Sequence, residues 1–251
     1  MFINTQEVQD PILKSMHLLE EHQVDIFLQQ LTQIEQPTSL GFINQHAYNL
    51  MQQDSQTQLN FNQLTYRLRD GSGMAMCCKL NKCPSGANLN GTDFIPRLIN
   101  HITTSHQGTI KYYVFGTEEP WLTTGATQLL NGATCTTHHG FAPAQQYVGK
   151  LTVQPQAQLN IVILAMGMPK QEQVCQLLTT QLTGPWLIIC GGAVVDFYAN
   201  RFTRAPKILR QIGCEWLYRL IKEPKRLFAR YIIGIPLFFS RIFINRLTKV
   251  G

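Results

Sequence analysis

The sequence predicts an α/β fold with a mainly parallel sheet, and three observations support that class. Almost wholly apolar segments recur along the chain, most clearly at 160–167 and 186–192, and they end in glycine. Segments with apolar residues at helical spacing lie between such runs. The 251 residues are enough for one large α/β domain. Apolar strands that alternate with helices are typical of a parallel sheet covered on both faces.

Each predicted element follows from its local pattern. Apolar residues at helical spacing predict a helix, and short apolar or β-branched runs that end in glycine or asparagine predict strands. In chain order, the predicted elements are a helix over 11–35, a strand at 40–43, a strand at 111–116, a helix over 120–130, a strand at 160–167, a helix over 169–182 and a strand at 186–192.

Basic residues are concentrated towards the C-terminal end of the chain. The formal net charge is +6, but residues 201–251 alone carry twelve Lys and Arg against two Glu, a net charge of +10. Such a basic segment points to phosphate groups, either of nucleic acid or of a membrane surface. We therefore predict an α/β domain over 1–200 and a basic, amphipathic helical appendage over 201–251.

The sequence indicates neither secretion nor a metal centre. Residues 1–10 have no cationic start and no apolar core, so we predict no signal peptide and expect a cytoplasmic protein. The seven cysteines are an odd number, and we interpret all of them as reduced thiols. Cys77, Cys78 and Cys83 lack paired CxxC spacing and a nearby histidine, so no metal site is expected there.

Glycines at the ends of the predicted strands indicate a ligand crevice. Gly116, Gly167, Gly191 and Gly192 fall where parallel sheets bind ligands, outside the carboxyl ends of their strands. Glycine lets backbone amides approach phosphate there, although a single glycine can also simply end a strand. Neither GxGxxG nor GxxxxGK[ST] occurs, which argues against a dinucleotide dehydrogenase and a P-loop ATPase.

Several ordered segments together resemble the WecG/TagA/CpsF glycosyltransferases, glycosyltransferase family 26, from about residue 39 onwards. They are 42–44, 70–73, 90–93, 165–172, 191–197, 204–206, 215–219 and 223–226. The resemblance implies a single Rossmann-like domain whose C-terminal appendage completes the site at the membrane. It also implies metal-independent, inverting transfer of a sugar from a UDP-sugar to an undecaprenyl-diphosphate-linked sugar, by an enzyme bound peripherally to the inner face of the cell membrane.

The resemblance assigns the catalytic roles to Asp70 and Asn44. Asp70 matches the proposed base, and its place before Gly71 is consistent with an exposed carboxylate or with an ordinary Asp-Gly turn. Arg67 and Arg69 would favour its ionised form if they contact it. Asn44 would bind the donor sugar or orient the acceptor, unless it only caps the end of its strand.

The expected nucleotide-sugar site gathers residues from several segments. Pro169 is expected to open a helix whose first turn presents the next three residues to the crevice. Asp93 is either the N-cap of the following helix or a second crevice carboxylate. The chain has no DxD motif, so backbone amides and Lys or Arg would stabilise the leaving diphosphate without any cofactor. The expected set is Asp93, Gly116, Gly167, Pro169, Lys170, Gln171, Glu172, Gly191, Gly192 and Asp196.

The basic appendage is expected to meet both lipid diphosphate and membrane. Arg219, Lys222, Arg226 and Arg230 form a cationic stripe at helical spacing. The expected lipid-diphosphate ligands are Arg204, Arg219, Arg226 and Arg230. We expect the apolar face of 209–220 to pack on the core and 231–244 to contact an anionic membrane. Gly234 and Pro236 interrupt the apolar run 231–239, which is therefore expected to lie on the membrane and not to cross it.

The sequence departs from the family pattern at Asn88, and a histidine pair has two possible interpretations. Asn88 stands where many members have arginine, so an N-acetylmannosaminyltransferase-like activity does not carry over directly. His138 and His139 precede a Gly-Phe pair and would touch uracil or ribose, unless they are simply a surface pair.

Two other functions are alternatives to a glycosyltransferase. They are a non-catalytic scaffold of polysaccharide assembly and an RNA-binding protein. Nucleic acid is not the expected partner, because aromatic residues are not interleaved with the charges; a homo-oligomer is compatible with the sequence.

Overall fold

The computed structural model describes residues 2–152 and 157–247, so Lys249 of the basic appendage lies outside the described residues. Six strands form one parallel sheet in the order β2-β1-β6-β5-β3-β4. The strands are β1 (Thr38–Ile43), β2 (Tyr66–Arg69), β3 (Ile110–Gly116), β4 (Cys135–His139), β5 (Leu159–Ala165) and β6 (Trp186–Cys190). The predicted α/β class with a parallel, Rossmann-like sheet is therefore confirmed.

Helices connect the strands and cover both faces of the sheet. They are α1 (Pro11–Lys14), α2 (Val24–Leu31), α3 (Gln45–Gln53), α4 (Ser55–Asn62), α5 (Gly71–Leu80), α6 (Gly91–Ser105), α7 (Trp121–Leu129), α8 (Ala144–Thr152), α9 (Lys170–Gln181), α10 (Val194–Tyr198), α11 (Lys207–Gln211), α12 (Glu215–Lys222), α13 (Pro224–Phe228) and α14 (Gly234–Leu247). A π-helical turn, Ala229–Ile233, joins α13 to α14.

The core lies in two apolar layers, one on each face of the sheet. Alternate residues of β5 point to opposite layers: Val162 and Leu164 join one cluster, whereas Ile161 and Ile163 join the other. All four side chains are fully buried. Because both faces of the central strands are covered, these strands read as continuous apolar runs. This explains why the patterns at 40–43, 111–116, 160–167 and 186–192 each correspond to an observed strand.

Three features of the fold differ from the prediction. The segment 11–35 is not one helix, because Asp10 caps the four-residue α1 and the chain then runs without helix until a short turn before α2. The strands β2 and β4 were not expected. Both lie at the edges of the sheet, and their polar residues give no apolar run. Edge strands are half-exposed, so polar side chains are tolerated on them.

The C-terminal helical run also differs from the prediction, because it continues through Gly234 and Pro236. The N–H of Gly234 donates to the carbonyl of Ala229, a π-type bond five residues back. Pro236 has no N–H and would clash with the carbonyl four residues earlier in a regular α-helix; we attribute its accommodation to this wider preceding turn. Among the described residues, Pro224–Arg246 is the one helix with the length and composition to cross a membrane, with a mean hydropathy of 1.7.

One face of this helical run is docked on the α/β domain. Phe238 and Ile242 are fully buried in one core layer, where the ring of Phe238 lies 5.0 Å from that of Tyr48 in α3. The Asn49 amide donates to the carbonyl of Gly234 at 2.7 Å, and Arg241 donates to the carbonyl of Asn49 at 2.6 Å. The appendage is therefore anchored to α3 by both apolar and polar contacts.

The exposed apolar surface of the appendage is larger than expected. The prediction that 209–220 packs its apolar face on the core is wrong, since α12 has no buried residue. The prediction for 231–244 is wrong at Tyr231, Phe238 and Ile242, which are buried. The outward apolar side chains of the appendage are Ile208, Ile212, Leu217, Ile221, Phe228, Ile232, Ile233, Phe243 and Ile244.

A buried carboxylate links the first helix to the last. Asp10 is inaccessible to solvent, and its Oδ1 accepts from the N–H groups of Ile12 and Leu13. Its Oδ2 accepts from the Tyr48 hydroxyl and from Asn245 Nδ2, the latter at 3.2 Å. Burial, followed by the charge of Asp10, raises the pKa of Tyr48.

We expect Asp10→Ala to lower the free energy of unfolding by about 2 to 4 kcal/mol, because it removes a helix cap and leaves buried donors unpaired. Urea titration followed by circular dichroism measures this. The control is Asp25→Ala, which breaks the 2.6 Å ion pair with Arg97 at the surface. It should cost less than about 1 kcal/mol. Equal losses in the two variants would contradict the role of Asp10.

Candidate functional site

Two adjoining cavities open at the carboxyl ends of the strands. The first cavity has a volume of about 810 Å³ and is bordered by Gly116, Gly167, Gly191 and Gly192 at strand ends. The second cavity has a volume of about 460 Å³ and lies between α5 and the appendage, where Met76 and Trp216 border it. The cavities share five bordering residues, which are Asn44, Asp70, Thr92, Arg219 and Arg230.

Asp70 and Asn44 are brought together by the pairing of β1 with β2. Ile43 is paired with Arg69, so the next residue of each strand lies at the same edge. The Asn44 Nδ2 donates to Asp70 Oδ2 at 3.0 Å, while Asn44 Oδ1 caps α3 by accepting from the N–H groups of His46 and Ala47. The side chain of Asp70 makes no capping bond to α5. Its half-buried carboxylate therefore borders both cavities.

The two arginines before Asp70 are engaged elsewhere. The Arg69 guanidinium donates to the carbonyls of Ser85, Gly71 and Gly86 at 2.8 to 3.0 Å. Arg67 donates to backbone carbonyls as well, including that of Ser15 at 2.7 Å. Both groups stabilise the loops under the site by satisfying backbone acceptors.

A cluster of three arginines from the appendage covers the crevice. Arg219 and Arg230 border both cavities, and Arg226 borders the first. The Arg219 guanidinium lies over the ring of Phe197 at 5.2 Å, and that of Arg226 lies over Phe202 at 4.6 Å. The Nε atoms of Arg219 and Arg230 are buried without a hydrogen-bond partner among the described residues. The cluster is therefore suited to a multivalent anion.

The charges in this cluster affect one another. Burial lowers the pKa of Arg230. The positive charges of Arg219 and Arg226 lower it further, whereas the carboxylate of Asp70 raises it. Burial and the nearby Arg230 lower the pKa of His46 to about 4, so this imidazole at the border of the first cavity is neutral near pH 7. His46 gave no signal in the sequence, because its neighbours come from a distant segment.

The glycines border the first cavity, but not all of their amides are free. The N–H of Gly191 donates to the carbonyl of Leu164 at 2.8 Å, and that of Gly192 donates to Gln171 Oε1 at 2.9 Å. The expectation that these amides bind phosphate is therefore wrong for both. Gly116 is required for another reason, since a Cβ there would lie 2.5 Å from the carbonyl oxygen of Ala165.

The first turn of α9 divides between the cavity and the core. Lys170 and Gln171 border the first cavity, and Lys170 Nζ donates to the carbonyl of Gly140 at 2.7 Å. The expectation that Glu172 also faces the crevice is wrong, because its side chain is fully buried and borders neither cavity. Burial raises the pKa of Glu172 to about 8, and this effect outweighs the hydrogen bond from Gln171, which lowers the pKa. Pro169 precedes α9 and also borders neither cavity.

Asp93 and Arg204 are paired with each other outside both cavities. The cap of α6 is Asn90, whose Oδ1 accepts from the N–H of Asp93, so neither expected role of Asp93 is correct. Arg204 Nη1 lies 2.6 Å from Asp93 Oδ1, and Arg210 lies 3.7 Å from it. Burial opposes the ionisation of Asp93, but hydrogen bonds from Arg204 and Asn90 outweigh it and lower its pKa. Arg204 borders neither cavity, and its Nε and Nη2 are buried without a hydrogen-bond partner among the described residues, so its role as a lipid-diphosphate ligand stays a prediction.

The rim of the first cavity contains a second ion-pair network. Arg201 donates to Thr117 Oγ1 at 2.6 Å and lies 3.4 Å from Asp196 and 2.9 Å from Glu118. All four residues border the cavity. The sequence predicted Asp196, but it signalled Arg201 only as one basic residue among twelve.

The other sequence candidates are distributed around the two cavities. His138 and His139 lie on the edge strand β4 and border neither cavity, whereas Phe141 projects into the first with 69 % of its surface exposed. Asn88 borders the second cavity and accepts from the N–H of Gly71 at 2.9 Å. The part of the chain that the structure describes contains no group of three or more His, Cys, Asp or Glu placed to hold a metal ion.

Comparison with known protein families identifies a family model that matches nearly the whole chain. The family model described as "Glycosyl transferase WecG/TagA/CpsF family" matches residues 14–250 of the 251. The match covers all six strands and every residue that borders the two cavities.

We expect Glu172→Gln to change the pH dependence of stability. The pKa of Glu172 rises from 4.5 when unfolded to about 8 when folded, so the folded protein binds the extra proton between these values. Raising the pH through this window therefore lowers the free energy of unfolding of the wild type, by up to about 1.4 kcal/mol per pH unit.

Urea titrations of both proteins between pH 5 and pH 8 measure the difference. His17 and His46, whose pKa values are lowered to about 4, also make stability depend on pH. Their effect is the same in both proteins and cancels in the difference. Parallel curves for the two proteins would show that Glu172 is ionised in the fold.

Proposed function

The chain belongs to the WecG/TagA/CpsF glycosyltransferases, a family of cell-surface polysaccharide biosynthesis, and from this premise we propose that it transfers a sugar from a UDP-sugar to an undecaprenyl-diphosphate-linked sugar. The observation that carries the proposal is the position of Asp70. Its carboxylate borders both cavities, so a donor in one and an acceptor in the other would meet at this group.

The first cavity is assigned to the donor. Ligands of open parallel sheets bind outside the carboxyl ends of the strands, where this cavity lies. Phe141 offers an exposed ring for a base, and Asp196 offers a carboxylate for ribose hydroxyls. We assign Arg226, which borders this cavity alone and pairs with Glu223 at 2.6 Å, to the UDP diphosphate and not to the lipid diphosphate expected from the sequence.

The second cavity is assigned to the acceptor. Its polar end contains Asn44, Asp70 and Asn88, and Arg219 and Arg230 can bind a diphosphate beside them. Its other wall is apolar and includes Met76, Ile235 and Phe239. The polarity of this cavity matches the three parts of the proposed acceptor. Its sugar would lie near Asp70, its diphosphate at the two arginines and its prenyl chain along the apolar wall.

The transfer is a single displacement that inverts the anomeric carbon. The acceptor hydroxyl forms a bond to this carbon, its proton passes to Asp70, and the bond to the UDP oxygen breaks with its electron pair on UDP. Asn44 holds one carboxylate oxygen and leaves the other for the proton. The arginine cluster stabilises the charge on the leaving diphosphate, and we propose that neither a metal nor another cofactor is needed.

Attachment to an anionic membrane surface completes the proposal. Members of this family are typically membrane-associated. The outward apolar side chains of the appendage adjoin its lysines and arginines, and each cation near an anionic surface contributes about 1 kcal/mol. The docked face of α14 supports peripheral attachment, because Phe238 and Ile242 are already covered by the domain.

The activity itself is tested by incubating the protein with a panel of UDP-sugars and short polyprenyl-diphosphate sugars, with and without EDTA. Release of UDP with one donor and acceptor pair, unaffected by EDTA, is the expected result. Binding of UDP without turnover for any pair would favour a non-catalytic scaffold. Loss of activity in EDTA that Mg²⁺ restores would contradict metal independence.

We expect Asp70→Asn to lower kcat at least 10²-fold while the affinity for UDP stays nearly unchanged, because a general base contributes on the order of 10² to 10⁴. Steady-state kinetics and calorimetric UDP titration measure the two quantities. Asp54→Asn, at a surface helix cap, is the control for changing a carboxylate to an amide. A folded Asp70→Asn variant with more than a tenth of wild-type turnover would remove Asp70 from this role.

We expect Arg219→Ala to lower kcat/KM for a short, water-soluble acceptor by roughly 10- to 200-fold, since a hydrogen bond to a charged group contributes about 1.5 to 3 kcal/mol. Arg246→Ala, at the end of α14, should weaken only sedimentation with anionic liposomes, and more so at low salt. If Arg219→Ala acts only on liposome binding, the appendage is an anchor and not part of the site.

A further inference from the structure

Glu172 is a buried acid that the proposed reaction does not use. Its side chain is inaccessible to solvent, and its Oε2 has no hydrogen-bond partner among the described residues. Its Oε1 accepts from Gln171 Nε2 at 2.7 Å. Because Glu172 borders neither cavity, it cannot touch a substrate in either. Its side-chain hydrogen bond links it to the site through Gln171, which borders the first cavity.

We propose that Glu172 is a positioning residue that fixes the side-chain amide of Gln171, and that this amide holds the Gly191–Gly192 turn at the wall of the first cavity. The consequence for ligand binding rests on the proposed function, in which this cavity holds the donor. The positioning itself is a property of the fold.

The orientation of the Gln171 amide follows from its two bonds. An amide has donors on the nitrogen and an acceptor on the oxygen. Here the oxygen accepts from the N–H of Gly192 at 2.9 Å, and the nitrogen donates to Glu172 at 2.7 Å. If the amide were rotated by half a turn, its NH₂ group would face the N–H of Gly192. Glu172 therefore selects the orientation that satisfies the turn.

The turn that Gln171 holds has few other supports. Gly192 has a φ of +56°, a conformation that few residues other than glycine adopt. Gly191 is tied to β5 through the carbonyl of Leu164 at 2.8 Å, and its own carbonyl accepts from Val194 at 3.2 Å. Beyond the turn, Asp196 pairs with Arg201 at the rim of the cavity. A displaced turn would therefore move both the wall and the rim.

The acceptor that Glu172 provides does not need a negative charge. Its unpaired, solvent-free Oε2 argues for the protonated form, and burial raises the pKa to about 8. A glutamine at this position keeps a carbonyl oxygen of the same reach. A methionine keeps the approximate volume but removes the acceptor and leaves the Gln171 NH₂ group buried without a partner. The two substitutions therefore separate the hydrogen bond from the packing.

The experiment compares wild type with Glu172→Gln, Glu172→Met and Val174→Ala. Val174 is a fully buried core residue of the same helix, so its truncation controls for a general loss of stability. Hydrogen exchange at residues 190–194 reports the turn without any ligand. Calorimetric titration with UDP, and KM for the UDP-sugar against kcat, report the consequence for the donor site.

Glu172→Met should speed exchange of the Gly192 amide about tenfold or more and weaken UDP binding to a similar extent, with a larger effect on KM than on kcat. Glu172→Gln and Val174→Ala should leave exchange and UDP affinity within about threefold of wild type. Unchanged exchange in Glu172→Met would overturn the proposal. So would a Glu172→Gln variant that behaves like Glu172→Met, because a charged carboxylate would then be required.

The outcome for the donor site is separable from the outcome for the turn. If wild type does not bind UDP but exchange follows the expected pattern, the assignment of the first cavity to UDP fails and the positioning role of Glu172 is supported. If wild type binds UDP and Glu172→Met binds it equally well, the donor assignment stands and the proposed link from Glu172 to the cavity wall is overturned.

Discussion

The site depends on the register between β1 and β2. Parallel pairing of Ile43 with Arg69 places Asn44 and Asp70 at the same edge of the sheet, 3.0 Å apart at their side chains. A slip of β2 by one residue would turn the Asp70 side chain to the face opposite that of Asn44, because strand side chains alternate. Everything else in the site is arranged around that carboxylate: the first cavity lies on one side, and the second lies on the other.

The appendage is coupled to this carboxylate through α3. This helix begins next to Asn44, and its residues Tyr48 and Asn49 bind the C-terminal run through Asn245, Gly234 and Arg241. Phe238 and Ile242 complete the same core layer. A chain cut near residue 201 would keep every strand but would expose the apolar surface around Tyr48. The appendage is thus part of the fold and also the source of the three arginines over the crevice.

In the proposed reaction, side chains and not the glycine turns bind phosphate. The amides of Gly191 and Gly192 are satisfied by Leu164 and Gln171, so they offer little to an anion. Arg219 and Arg230, in contrast, keep buried Nε atoms without partners. Glycine at these strand ends is explained by close packing and by left-handed backbone. The positive charge beside the crevice comes from arginines more than twenty residues later in the chain.

Local sequence patterns were enough to predict the central strands, the parallel sheet and the family, because a strand buried on both faces must be apolar and because the family motifs are local. It also predicted Asp70 and Asn44. It missed the edge strands β2 and β4, whose exposure permits polar residues, and it could not separate Gln171 from Glu172, which lie next to each other on α9 but face different surroundings. The pairing of Arg204 with Asp93, the burial of Glu172 and the exposure of Ile221 on α12 became apparent only from the tertiary structure. The contact between Arg204 and Asp93, for example, joins residues 111 positions apart, and local sequence patterns do not encode such contacts.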